Sequence, residues 1–206
     1  NILASHEFEH ERLAVLYRMM KNDSFTVVST PAAAFQLTMT PEKLAVRTIR
    51  LDRNSPIDTD ELAIRLNGAG YRRCDMVESC GQFALRGGIV DIYAPSMHPV
   101  RIELFGDEVD RMGYFSLESQ RFTGEETDSI EIPPTLEVIL GDEERRSLRE
   151  SVTRQISRVK GSAAEQTLRA ELDALENSQD VNFADKYLPL IFSEGCCLTD
   201  YADEII

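Results

Sequence analysis

Three groups of residues in this 206-residue chain have types and spacings that could do chemistry. The first is His6-Glu7-Phe8-Glu9-His10, an H-E-x-x-H pattern. On a helix, two histidines at i and i+4 share a face and could ligate zinc, while the glutamate between them activates a metal-bound water. A third ligand is needed, and His98, in a Pro-flanked stretch, is the only further histidine. His10 also continues a helical stripe through Leu13, Tyr17 and Met20, which suits a packing face equally well. A zinc-dependent hydrolase is therefore the alternative, enzymatic reading. The second group is Arg86-Gly87-Gly88. It lacks the Lys and the Ser or Thr of a phosphate loop, and no G-x-G-x-x-G occurs, so nucleotide chemistry is not expected from it. The third is the set of Cys74, Cys80, Cys196 and Cys197, which forms no C-x-x-C and reads as free thiols in a reducing cytosol. Asp203-Glu204 resembles a motor acidic pair, but no phosphate loop accompanies it. No catalytic constellation, cofactor or metal is expected.

The bulk composition narrows the partners. With 42% hydrophobic and 28% charged residues the chain falls in the soluble globular class. No apolar run approaches the roughly 20 residues of a membrane span. Lys and Arg number 22 against 36 acidic residues, for a net charge of −14, which opposes binding to a phosphate backbone. A beginning at Asn1 and an apolar ending at Ile205-Ile206 suggest a piece of a longer protein.

The elements that must position any site follow from periodicity. A helix is expected over residues 5–20, a buried and possibly parallel strand over Phe25 to Thr30, and a helix starting at Pro31. Leu44 to Leu51 reads as the next strand. Asp58 and Glu61 stand at capping-box spacing for a helix that Gly68-Ala69-Gly70 ends. From Tyr71 to Pro134 strands dominate, with turn signals at Gly81, Pro95 to Pro99, Gly106-Asp107 and Gly124. Helices are then expected through Leu148, Val152, Ile156 and Val159, and from a Ser162–Glu165 capping box through Leu168, Leu172 and Leu175. A third helical piece over Phe183 to Phe192 breaks near Pro189, and Tyr201 to Ile206 returns to a sheet. The fold class is α/β (α+β), with a small twisted antiparallel module inserted in a second body. The divisions fall at 1–51, 52–134 and 135–206.

Strand parity singles out three residues. In Val100-Arg101-Ile102-Glu103-Leu104-Phe105, alternation sends Val100, Ile102 and Leu104 to one face and Arg101, Glu103 and Phe105 to the other. Phe105 either closes the core at the strand end or belongs to a protein-binding patch, where Arg and aromatic residues concentrate. Phe83 and Leu85 point inward and send Arg86 out. After Gly87-Gly88 the apolar positions, Val90 and Ile92, have the opposite parity, as a β-bulge would produce. Arg86 and Arg101 would then lie on one exposed surface.

The stretch from Gly70 to Arg121, with G-Y, then G-x-F-x-x-R-G-G-I-x-D-I-Y, then P-x-R-I-E-L-F-x-D-E-V-D, a following aromatic and S-Q-R, resembles the UvrB-like interaction module of the bacterial transcription-repair coupling factors (Mfd). The flanks resemble that family more loosely. The helicase UvrB shares the module, but there a phosphate loop precedes it. The resemblance implies a cytoplasmic, non-catalytic binding function: docking of the damage-recognition ATPase UvrA, with flanks from a degenerate motor-like α/β body. It implies that Arg86, Arg101 and Phe105 contact UvrA. Contacts with RNA polymerase and DNA, and ATP-driven translocation, would belong to regions outside this chain. The same face could instead be masked inside the parent protein.

Overall fold

A computed structural model describes residues 7–22, 24–161, 163–177, 183–192 and 195–202. His6, Ser162 and the expected strand over Asp203 to Ile206 lie outside the described residues. In chain order the elements are α1 (Glu7–Met20), α2 (Pro31–Ala34), α3 (Pro41–Arg47), β1 (Ile49–Asp52), α4 (Thr59–Gly68), β2 (Arg72–Arg73), β3 (Gln82–Arg86), β4 (Ile89–Tyr93), β5 (Val100–Phe105), β6 (Glu108–Phe115), β7 (Phe122–Glu126) and β8 (Ser129–Ile132). There follow α5 (Asp142–Arg158), α6 (Ala163–Asn177), a 3-10 turn at Ala184–Tyr187, α7 (Leu188–Ile191) and a second such turn at Leu198–Tyr201. The fold is α+β, and no described helix is long and apolar enough to cross a membrane. The chain divides into two compact units: 1–30, 40–137 and 201–206 form the first, and 31–39 with 138–200 the second.

The first unit is organised by a six-stranded sheet in the order β2-β3-β4-β5-β6-β7. Every pairing is antiparallel except the two-residue contact of β2 with β3, which is parallel, so the expected antiparallel sheet is mixed at one edge. A separate ribbon pairs β1 with β8, matching Ile49 to Ile132 and Leu51 to Ile130. One face of the sheet supplies Phe83, Val90, Ile92, Val100, Ile102 and Met112 to the main core. Leu62, Ala63 and Leu66 of α4, the four aliphatic side chains of the ribbon, and Ile57, Ala69, Tyr71 and Ala94 join it. α4 begins where the sequence signals it: the Asp58 side chain accepts from the N–H groups of Asp60 and Glu61 at 2.9 and 3.0 Å. α1 buries Leu13 and Leu16, and its exposed side is tied down by charge. Tyr17 Oη and Lys21 Nζ both donate to Glu131 of β8, at 2.7 and 2.8 Å. These bonds, led by that from Lys21, hold the Glu131 carboxyl below its usual range.

Two expected strands come out differently. Phe25 to Thr30 forms no strand, and Val28 is 93% exposed. An apolar run becomes a strand only when a neighbour takes up its backbone hydrogen bonds, and no described element pairs with this one. Phe25 lies instead under the Arg18 guanidinium, 4.1 Å from its ring centre. Leu44 to Leu51 is divided: its first half belongs to α3 and only Ile49–Asp52 is strand. Thr40 caps α3 by accepting from Lys43 N, and Pro41 occupies the first turn, where a missing N–H goes unnoticed.

In the second unit α5 buries Leu148, Val152 and Ile156, and Arg145 of α5 donates to the Leu175 carbonyl of α6 at 2.9 Å. The buried acid Glu171 on α6 accepts from Tyr187 Oη at 2.7 Å and from Lys186 Nζ. Burial first, and then Glu171, push the Tyr187 phenol up to about 12, so it stays a neutral donor. The third helical piece is divided next to Pro189, as expected: a 3-10 turn ends at Tyr187, and Pro189 sits in the first turn of the separate α7, where proline is tolerated.

Tyr71 closes the end of the main core. It is buried, and its hydroxyl donates to the Pro133 carbonyl at 2.6 Å. Tyr71→Phe leaves that carbonyl without its donor and is expected to cost about 1–3 kcal/mol, measured by urea unfolding with unchanged far-ultraviolet dichroism.

Candidate protein-docking surface

The second face of the sheet carries the residues singled out by parity. Gly87-Gly88 is not a bulge but the two-residue turn of the β3–β4 hairpin: Arg86 pairs with Ile89, Leu85 with Val90 and Phe83 with Ile92. Partners across such a turn always have unlike parity, so a tight hairpin produces the same odd-to-even change as a bulge. Gly87 adopts φ +61°, as a type II′ turn requires of its first central residue. Gly88 has a different reason to lack a side chain. A Cβ there would lie 2.6 Å from the Leu104 carbonyl oxygen, and the Gly88 carbonyl accepts from Leu104 N at 2.7 Å. The turn is thus held against β5. A true irregularity does occur, but in the β5–β6 pairing at Glu103/Leu104, where Asp110 is the extra residue.

The β5–β6 hairpin turns the same way. Phe105 pairs with Glu108 across Gly106-Asp107, and Gly106 adopts φ +66°. Arg86 and Phe105 are therefore each the last strand residue before a two-residue turn, at the same end of the sheet. Cross-strand pairing aligns Arg86, Ile89 and Glu103 in one row, with Phe105 one pleat beyond. Neighbouring strands lie about 4.8 Å apart, which places the Arg86 and Glu103 backbones roughly 10 Å from each other. Phe105 is 85% exposed and does not close the core.

Arg101 has another environment. It lies on the same face as Arg86, but it is buried, which corrects the expectation of an exposed pair. Two irregular segments cover its part of the face. Val77, Ala84 and Phe115 form a small apolar cluster there, with Cys74, Tyr93 and Leu117 packed against it. Gln120 fastens the cover by donating from Nε2 to the carbonyls of Val77 and Leu117 at 3.1 and 2.8 Å. Its own carbonyl accepts from Arg101 Nη1 at 2.8 Å, and the Arg101 guanidinium lies 4.7 Å from the centre of the Phe115 ring.

Asp91 joins the two arginines. It sits on β4, is fully buried, and pairs in register with Arg101. Arg101 donates from Nε to Oδ1 at 2.6 Å and from Nη2 to Oδ2 at 2.8 Å, a two-pronged clasp. Oδ2 also accepts from Arg86 Nη2. These hydrogen bonds raise the Arg101 pKa, against the opposing effect of burial. Two guanidiniums share this carboxylate, Glu103 adds a weaker attraction for Arg101, and the outer arginine, Arg86, keeps a side chain 41% exposed. Asp91 escaped the sequence reading, although an acid inside Ile89-Val90-Asp91-Ile92-Tyr93 on the parity of Arg86 was a visible signal. The role of Gln120 had no comparable signature.

Of the histidine motif, Glu7 to His10 are described. His10 lies on α1 with its ring against Gly81, where a Cβ would come within 2.9 Å of Cε1. His98 packs edge-on to Tyr114. Among the described residues no three His, Cys, Asp or Glu side chains are grouped to hold a metal. Burial pushes the Cys80 thiol up to about 11, the state of a packed thiol rather than of a ligand or nucleophile.

Comparison with known proteins gives one consistent result. The UvrB interaction domain family matches residues 49–137, which includes β1 to β8. The transcription-repair-coupling factor of Bacillus subtilis is 32% identical over 211 residues, covering 98% of this chain and 18% of its own length. That of Myxococcus xanthus is 30% identical over 90% of this chain and 15% of its own length, and that of Mycobacterium bovis 33% over 84% and 14%. The chain spans less than a fifth of the length of these curated relatives.

Two substitutions probe the scaffold of this face. Asp91→Ala leaves the buried Arg101 uncompensated and is expected to destabilise the first unit by about 3–5 kcal/mol in denaturant unfolding. Gly88→Ala drives a methyl group into the β5 backbone and is expected to cost about 1–3 kcal/mol in the same measurement.

Proposed function

We propose that this chain, which belongs to the transcription-repair-coupling factor family over the region it spans, is a non-catalytic docking module that binds UvrA through the second face of its six-stranded sheet. In the whole protein the module would bring UvrA to stalled RNA polymerase in the cytoplasm, and contacts with polymerase and DNA would come from other regions. The observation that carries this reading is the joint presentation of Arg86 and Phe105. Two glycine turns hold a guanidinium with unspent donors and a bare aromatic ring at one end of one face. Arginine fits a carboxylate on a partner, and the ring supplies area that loses water on contact. The net charge of −14 fits a protein partner better than a nucleic acid. The division into an interaction module over 52–134 and flanking segments over 1–51 and 135–206, from a degenerate motor-like body, belongs to the same reading.

Arg86 is the informative position for a test, because its reversal leaves the buried Asp91–Arg101 pair in place. Arg86→Glu is expected to weaken binding to purified UvrA by about 2–5 kcal/mol, as truncated interfacial charges do. Phe105→Ala is expected to cost about 2 kcal/mol or more, the scale of an interfacial aromatic anchor. Phe105→Ala should keep the parent melting temperature, whereas Arg86→Glu, which sets a second carboxylate beside the buried Asp91, should lower it and is compared with the parent at a temperature where both are folded. Undiminished UvrA binding by the double variant Arg86→Glu/Phe105→Ala, measured by calorimetry, would sink this surface as the docking site.

A further inference from the structure

The three site residues do not stand in equivalent relations to solvent. Arg101 is buried, and all three of its guanidinium nitrogens are engaged, Nε and Nη2 with Asp91 and Nη1 with the Gln120 carbonyl. One face of its plane is occupied by Phe115. A partner carboxylate could reach it only by opening that clasp and exposing the fully buried Asp91, which is costly for an unpaired charge. Arg86 gives a single hydrogen bond, from Nη2 to Asp91 Oδ2, and its Nε and Nη1 make none with a described residue. Phe105 has no part in this network.

We infer that Asp91 and Arg101 are positioning residues for docking, and that Arg86 alone of the charged trio meets the partner. This rests on the docking reading above and deepens it. Arg101 orients the Asp91 carboxylate by the two-pronged clasp, so that Oδ2 faces the second arginine. Oδ2 then anchors one nitrogen of Arg86 and leaves its Nε and Nη1 without a described partner, on a side chain 41% exposed. A long side chain held in one orientation loses less freedom on binding, so the clasp raises affinity without touching the partner. The partner feature it prepares for is a single carboxylate beside an apolar surface that takes Phe105. Lysine at position 101 would keep the charge but could not span both oxygens of Asp91 with fixed geometry.

A double-mutant cycle with purified UvrA separates positioning from contact. In the parent chain Arg86→Ala is expected to weaken binding at least about tenfold, the size of a hot-spot loss. In the Asp91→Asn or Arg101→Lys background the same change should cost no more than about twofold, because Arg86 is no longer held. Phe105→Ala should lose the same factor in every background, which partial unfolding would not allow. An Arg86→Ala loss that is unchanged in both backgrounds overturns the inference, as does an additive loss from Arg101→Lys.

A second readout needs no partner. The Arg86 side-chain Nε–H signal in nitrogen NMR should be ordered in the parent chain and motionally averaged in Asp91→Asn and Arg101→Lys. Equal order in all three would overturn the inference whatever UvrA does. Failure of the parent chain to bind UvrA would overturn the docking reading instead, and the NMR comparison would still decide the role of the clasp. If Asp91→Asn lowers the melting temperature too far to work with, Arg101→Lys carries both measurements.

Discussion

A carboxylate removed from water must be met by positive charge at hydrogen-bond distance, and Asp91 imposes that condition at the middle of the second sheet face. Much of what distinguishes this face depends on how the condition is met. Arg101 answers it from the neighbouring strand in register, and Arg86 from the strand on the other side, one pleat further along. The carboxylate therefore spans three strands, and the hairpin turn beyond Arg86 must come close enough for its side chain to reach. Gly88 allows that approach by letting the turn touch the β5 backbone. Glycines, acid and arginines form one mechanical unit, which explains why a motif suggestive of phosphate binding is here a way of aiming a guanidinium.

The two faces of the sheet are specialised by what covers them. One is closed by α4 and by the β1–β8 ribbon, which meet it with aliphatic side chains. The other is covered around Arg101 by irregular segments that Gln120 staples together, and Phe105 stays exposed at the end with the two turns. Asp91 and Arg101, which would be costly in the first environment, find partners in the second. This division lets one six-stranded sheet hold a dry core and still leave Phe105 and part of Arg86 exposed at one end.

Much of this could be read from residues alone, and what could not has definite causes. The start of α4 was legible because its cap is local: Asp58 bonds N–H groups two and three residues away. The core faces of β3, β4 and β5 were legible because alternation is local as well. Parity, however, reports which face a side chain leaves by and not what lies above it. Arg101 has the parity of an outward residue and is buried by a cover of irregular loops, which carries no periodic signal. A hairpin and a bulge both change parity by one, and only the pairing of Arg86 with Ile89 separates them. Phe25 to Thr30 has the composition of a strand, but a strand is a property of two segments, and here the second is not among the described elements. In α3 the reverse occurred: Thr40 and Pro41 announced a helix locally, and the apolar residues after them read as strand.

The β1–β8 ribbon has an evolutionary consequence. Ile49 and Ile132 stand opposite each other, so the polypeptide enters and leaves the β-rich segment within one strand spacing, about 5 Å. Everything between them is, in wiring terms, a single long loop hung from a two-stranded stem. A host chain could accept or surrender such a loop without changing the distance between its own cut ends, as domain insertions require. The stem makes the β-rich segment portable: a host chain can change around it while the segment stays the same.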